Sequence, residues 1–155
     1  MTTRREFLAI TLATTLPVSS LFAAKKSYSV GYSAITWNGQ DEQAIKDISA
    51  LGFKGIQLRA NTFAKYKDNP AALKALLDSS GLQLCMFSSG NVSIQDDISK
   101  DIETHLNHAK FIKALGGKSL QITNNSRPKD RLPSTEELIK YAKNMSEVAK
   151  VVKGE

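Results

Sequence analysis

Four glycines, at positions 52, 81, 116 and 154, each close a stretch of helical apolar spacing. After each of the first three, a short strand-like run begins. Ile45, Ile48 and Leu51 lie at helical intervals in a helix expected from about Asp41, with Gly52 just beyond, a common place for glycine because it tolerates the left-handed backbone that ends a helix. Asn69 and Pro70 suit the opening of the next helix, as an N-cap and a first-turn proline, and Gly81 closes it. A third helix is expected from about Ile94 to Leu115, opened by Ser93 with Asp96 three residues on and closed by Gly116-Gly117. The fourth opens at "PSTEEL", where Ser134 and Glu137 form a capping box, and runs to about Lys153. Strands are expected at Tyr28–Thr36, "GIQLRA", "LQLCMFSS" and "KSLQITN". Closing glycines 29, 35 and 38 residues apart match one strand-helix unit of a parallel sheet. Helical solenoids share that period but contain no run such as "LQLCMF" between helices.

Alternating strands and helices imply right-handed crossovers and helices laid over a parallel sheet. An open doubly wound sheet should carry a glycine-rich phosphate loop after its first strand. Here that loop reads "WNGQDEQ", with one glycine. The expected fold class is therefore α/β, about four of the eight (β/α) units of a TIM barrel. Strand side chains alternate. Ile56, Leu58, Leu120 and Ile122 should face the outer helices, and Gln57, Arg59, Gln121 and Thr123 the lumen. The strands end in polar or aromatic groups, at the edge where barrel enzymes place their sites. Asn69, Ser93 and Ser134 are read as caps. Gln57 and Gln121 sit inside apolar strands and need partners when buried. Trp37 could stack on a sugar ring or plug the barrel end. The expected substrate contacts are Trp37, Gln57, Arg59, Ser89, Gln121 and Asn124, with no catalytic residue and no metal ligand assigned.

The 155 residues, 41% hydrophobic and 23% charged, suit one globular domain. The net charge of +6 is spread along the chain with no arginine-rich run, which argues against a nucleic-acid partner. The single cysteine, Cys85, excludes an intrachain disulfide and reads as a buried small apolar residue. His105 and His108 are three apart on one helical face, a spacing that can bind zinc. His105 also falls in the stripe Ile98, Ile102, Ala109, Ile112, which reads as packing against the sheet. Arg127, Lys129 and Arg131, after the fourth strand, read as a solvated loop that could meet a phosphate or carboxylate.

Residues 1–24 read as an address. Thr3, Arg4, Arg5, Glu6, Phe7 and Leu8 resemble the core of a twin-arginine export signal, followed by a moderately apolar run to Ala24. Pro17 and the short apolar run argue against a stable membrane span. The resemblance implies periplasmic localisation, leaving residues 27–155 as the folded domain.

"GYSAITW", "LGFKGIQLRA", "LQLCMFSSG" and "HAKFIKALGGKSLQIT" together resemble the xylose isomerase-like family of TIM barrels, which includes sugar phosphate isomerases and epimerases, inosose dehydratases and endonuclease IV. The resemblance covers about residues 28–153 and corresponds to the N-terminal half of the barrel. Many members carry a glutamate where Gln57 stands, so an acid/base group is replaced by a hydrogen-bonding one. The resemblance implies an exported sugar or sugar phosphate isomerase or epimerase. In full-length members a divalent metal (Mn, Mg, Zn or Co) assists proton transfer beside a carbonyl. Its ligands and the catalytic glutamates come from the second half, so this chain is expected to be an incomplete, inactive part with no tight metal site. Two other readings stand beside it: a half-barrel binding sugar or a partner without catalysis, and a sugar lyase or hydrolase of the same superfamily. The exposed sheet edges are expected to favour self-association.

Overall fold

The computed structural model of the protein describes residues 30–124, 128 and 130–154. The export-signal residues, the start of the expected first strand, Arg127 and Lys129 lie outside the described residues. The elements run β1 (Gly31–Ser33), a 3-10 turn (Ala34–Trp37), α1 (Asp41–Ala50), β2 (Gly55–Arg59), α2 (Ala60–Tyr66), α3 (Pro70–Ser79), β3 (Gln83–Asn91), α4 (Ser99–Ala114), β4 (Leu120–Thr123) and α5 (Thr135–Lys153). The four strands form one parallel sheet in the order β1-β2-β3-β4. This is an α/β half-barrel, as the spacing of closing glycines predicts.

Local chemistry explains most boundaries. Gly52, Gly81 and Gly116 all take positive φ after α1, α3 and α4, a conformation costly for a residue with a Cβ. Asn69 accepts a hydrogen bond from the Ala72 N–H, with Pro70 in the first turn of α3. Ser134 and Glu137 form the capping box of α5. Three boundaries differ from expectation. The chain leaves β1 after Ser33 and coils into the 3-10 turn, so Thr36 and Trp37 are not strand residues. An additional short helix, α2, follows β2 directly. Helix α4 starts at Ser99 rather than near Ile94, because the segment before it is held by long-range bonds. The Ser93 N–H donates to Asp101, and Asn144 of α5 donates to the carbonyls of Ser93 and Gln95.

The core lies on one side of the sheet. Ile45 and Ile48 of α1, Leu73 and Leu77 of α3, and Phe111 and Ile112 of α4 pack onto Ile56, Leu58 and Phe87. A second cluster joins Val92, Ile98 and Val148 to Ile122 and Tyr141 beneath α5. Burying each of the larger aliphatic or aromatic side chains stabilises the fold by roughly 1.5–3 kcal/mol. The opposite, concave face is polar or exposed among the described residues: Gln57 is half-buried, Gln121 exposed and Met86 37% exposed.

β3 departs from regular pairing twice. Ile56 registers with Leu84 but Gln57 with Met86, so Cys85 is an extra residue opposite β2. Ser88 registers with Gln121 but Gly90 with Ile122, so Ser89 is extra opposite β4. Each bulge reverses which face the following side chains meet. Cys85 is exposed, not buried as expected. Its Sγ lies over the two glycines that begin β1 and β2. A Cβ on Gly31 would stand 2.6 Å from that sulfur, and one on Gly55 3.4 Å.

Candidate functional site

The C-terminal ends of β1, β2 and β3 meet at a cleft of about 390 Å³ lined by Asn38, Gly39, Arg59, Ala60, Asn61, Ser88 and Gly90. Its floor follows from strand parity. Gly55, Gln57 and Arg59 share the concave face of β2, while Ile56 and Leu58 are fully buried under the helices. Ser88 registers with both Arg59 and Gln121 and so occupies the same face of β3. Across β3, the Gln57 amide Nε2 donates to Gln121 Oε1 at 2.7 Å. One hydrogen bond thus joins two neutral amides on the concave face. Further along, the Thr123 hydroxyl donates to the Gly90 carbonyl and to Asn91 Oδ1.

The six expected contact residues separate. Gln57, Gln121 and Arg59 share the concave face, and Arg59 lines the cleft. Ser89 does not. The bulge at Cys85 flips the parity of β3, so Ser88 faces the concavity and Ser89 turns back under α4, where it is 3% exposed. Trp37 is held away from the cleft. Its indole N–H donates to Asp47 Oδ2 of α1 at 2.8 Å, and its ring meets Tyr32 edge-on at 6.1 Å. Asn124 is exposed just past β4 and is not part of the cleft lining. The sequence places Asn38, Ser88 and Gly90 at the polar strand ends without marking them as contacts, and it gives no sign of Gly39. The only signal was the run of small and polar residues at the strand ends.

Asn61 lines the cleft but is also a structural tie. Its Nδ2 donates to both oxygens of Asp41, at 3.2 and 2.9 Å, and the buried Thr62 hydroxyl donates to Asp41 Oδ2 at 2.9 Å. The Asp41 carboxylate is 3% exposed in the first turn of α1, where a negative charge is favoured by the helix dipole. These bonds dock α2 on α1 and fix the corner of the cleft.

Behind the rim, Ser89 Oγ lies 2.6 Å from His105 Nδ1 and 2.7 Å from His108 Nδ1. His105 Nε2 faces the Asn91 carbonyl at 3.2 Å. A carbonyl only accepts, so His105 carries its proton on Nε2 and its Nδ1 accepts from the Ser89 hydroxyl. Ser89 then accepts from His108 Nδ1–H. The directed chain His108→Ser89→His105→Asn91 satisfies all its members with both imidazoles neutral. Burial pushes both histidines below the ordinary histidine range. At His105 the Asn91 bond and the Asp101 charge oppose this, and at His108 the neighbouring His105 reinforces it. Phe63 and Phe87 meet His108 edge-on at 4.6 and 5.3 Å, and Phe111 packs against both phenylalanines. The pair is a core element supporting β3, not a rim group.

The concave face offers amides, hydroxyls and one guanidinium. Among the described residues no group of three or more His, Cys, Asp or Glu side chains converges as metal ligands. A cationic guanidinium beside neutral amides does not suit a divalent cation, so the described residues do not fit the metal that the family resemblance implies. No helix among them is long and apolar enough to cross a membrane.

These elements and this rim define half of a (β/α)8 barrel. No family model matches the chain. It is 25% identical over 113 residues to an inosose dehydratase of Serratia proteamaculans, a match covering 66% of this chain and 37% of that protein. The chain thus spans little more than a third of the length of that curated relative. Among solved structures it superposes on D-psicose 3-epimerase of Clostridium cellulolyticum H10 with a TM-score of 0.65 at 18% identity, over 80% of this chain and 48% of that one. It also superposes on a xylose isomerase-like TIM barrel/4-hydroxyphenylpyruvate dioxygenase fusion protein, with a TM-score of 0.59 at 15% identity, over 81% of this chain and 21% of that one. The fold is that of the xylose isomerase-like TIM barrels, and the described residues form about half of such a barrel.

Proposed function

We propose that the chain binds a sugar or polyol derivative on its concave face, as the N-terminal wall of an epimerase, isomerase or dehydratase site. The observation that supports this most directly is the Gln57–Gln121 amide pair beside Arg59 and Ser88. Paired amides and a hydroxyl on one open face match the donors and acceptors of a polyhydroxylated ligand. The similarity to an inosose dehydratase and the fold shared with a D-psicose 3-epimerase support the same substrate class.

The residues on this rim bind and orient. None is a carboxylate placed to take a proton from carbon, and Gln57 cannot serve as a base. The 155-residue chain is therefore expected to bind without turnover. The twin-arginine-like start further supports export to the periplasm.

Calorimetric titration of the chain with inosose, D-psicose and D-tagatose tests the binding. The expected result is saturable binding, weakened several-fold by Gln57→Ala, with no epimerised or dehydrated product. Failure of all three to bind overturns the sugar reading, and catalytic turnover by the chain overturns the binding-only role.

A further inference from the structure

We propose that the cleft at the ends of β1, β2 and β3 is an anion subsite, taking the phosphate or carboxylate of a sugar derivative, with Arg59 as its counter-charge. This rests on the sugar reading above and narrows it to acidic substrates. Arg59 lines the cleft, and its guanidinium makes no ion pair or side-chain hydrogen bond with any described residue. The other arginine among the described residues, Arg131, is bidentate to Glu137, at 2.8 Å for each pair. Arg59 thus presents its full planar fork of N–H donors, the geometry that matches two oxygens of a carboxylate or phosphate.

The surroundings favour an anion over a cation. No carboxylate of a described residue lines the cleft. The nearest acid tied to a lining residue, Asp41, is 3% exposed and already accepts from Asn61 and Thr62. Ser88, in register with Arg59, adds a hydroxyl that makes no bond to a described residue. Gly39 and Gly90 leave the walls without side chains, and a Cβ on Gly90 would meet nothing within 4 Å. The volume of about 390 Å³ falls in the range of small-molecule sites, roughly 300–1,000 Å³. Arg59 is the last residue of β2, so its backbone is held by the sheet. The Gln57–Gln121 pair lies on the same face and is placed to meet the hydroxyls of a ligand whose acidic end sits at Arg59.

The test is calorimetric titration of the 155-residue chain with D-fructose, D-fructose 6-phosphate, D-gluconate and inorganic phosphate, for wild type, Arg59→Gln, Arg59→Lys and Ser88→Ala. The acidic sugars are expected to bind at least about tenfold tighter than D-fructose at low salt, the scale of a hydrogen bond to a charged group. Arg59→Gln should remove that preference by weakening the acidic ligands far more than D-fructose, and Arg59→Lys should restore part of it. Ser88→Ala should weaken the acidic ligands by a few-fold. The two acidic sugars distinguish phosphate from carboxylate as the preferred anion. Equal affinity for D-fructose and its acidic counterparts overturns the anion subsite and leaves the sugar reading standing. So does an Arg59→Gln loss of the same size for neutral and charged ligands. Arg59-dependent binding of inorganic phosphate with no sugar bound supports the anion site and overturns the sugar reading. No binding by any probe overturns both.

Discussion

The bond to the Asn91 carbonyl leaves His105 Nδ1 as an acceptor for Ser89, and burial disfavours the charged form of both His105 and His108. Their folded pKa values are depressed by burial, while the unfolded chain titrates near the ordinary value of about 6.5. Below that value the unfolded state binds more protons than the folded one, so stability falls as pH drops from about 6.5 through the folded pKa values. The charged and polar groups facing the pair are Asp101 on α4, Ser89 and the Asn91 carbonyl on β3. Urea midpoints should fall measurably between pH 7.5 and pH 5. His108→Asn, whose amide can take the Nδ1–H position, should lessen that fall. An unchanged slope in the variant would show that the pair does not titrate with unfolding. A second residue-scale expectation concerns Gly31. Gly31→Ala places a methyl 2.6 Å from Cys85 Sγ and 3.2 Å from Gly55 backbone atoms, so thermal unfolding should report a loss of about 1–3 kcal/mol from overpacking. Gly31→Ala with Cys85→Ala should recover part of it.

At the scale of elements, helices and strands were legible where short-range chemistry decides them, and not where distant partners do. The capping box at Ser134, the Asn69-Pro70 start and the closing glycines are local signals, and each stands where the sequence reading puts it. Ser134→Ala should cost about 1 kcal/mol in chemical denaturation, because the Glu137 N–H loses the Ser134 Oγ as its acceptor. Helix α2 was missed because its anchors, Asn61 and Thr62 on Asp41, are 20 and 21 residues apart in sequence. The start of α4 was misplaced because Asn144, some 50 residues on, holds the preceding backbone. The concave face was read correctly for Gln57 and Gln121, polar residues in apolar strands. The reading failed for Ser89 because neither bulge of β3 has a sequence signature stronger than ordinary strand residues.

At the scale of the whole molecule, the described sheet has edges at β1 and β4 and helices on one face only. Tyr32, Ile35 and Val30 near the β1 edge are 42%, 54% and 59% exposed. Beside β4, Ala109, Ile112, Leu120, Ile122, Ala149 and Val152 line an apolar groove of about 580 Å³. Open parallel edges next to apolar surface favour association. Sedimentation velocity on the 155-residue chain should therefore show concentration-dependent self-association above a monomer. A single monomeric species at tens of micromolar would count against it. Export is tested separately. Replacing Arg4 and Arg5 together by lysine should leave the protein in the cytoplasm, and undiminished periplasmic yield would refute the twin-arginine reading.

The extra residue at Cys85 also bears on how proteins of this fold are aligned. A strand that has gained one residue keeps its core side chains only if everything beyond the gain is read one place later. Matching β3 to a relative without that gain, position by position and with no gap, would pair Ser88 with a residue from the opposite face. Ser89 would then be credited with a place on the concave face that belongs to its neighbour. Trading rim residues between such proteins by column alone would graft the wrong serine, and deleting one residue from β3 would alter the concave face more deeply than most substitutions there.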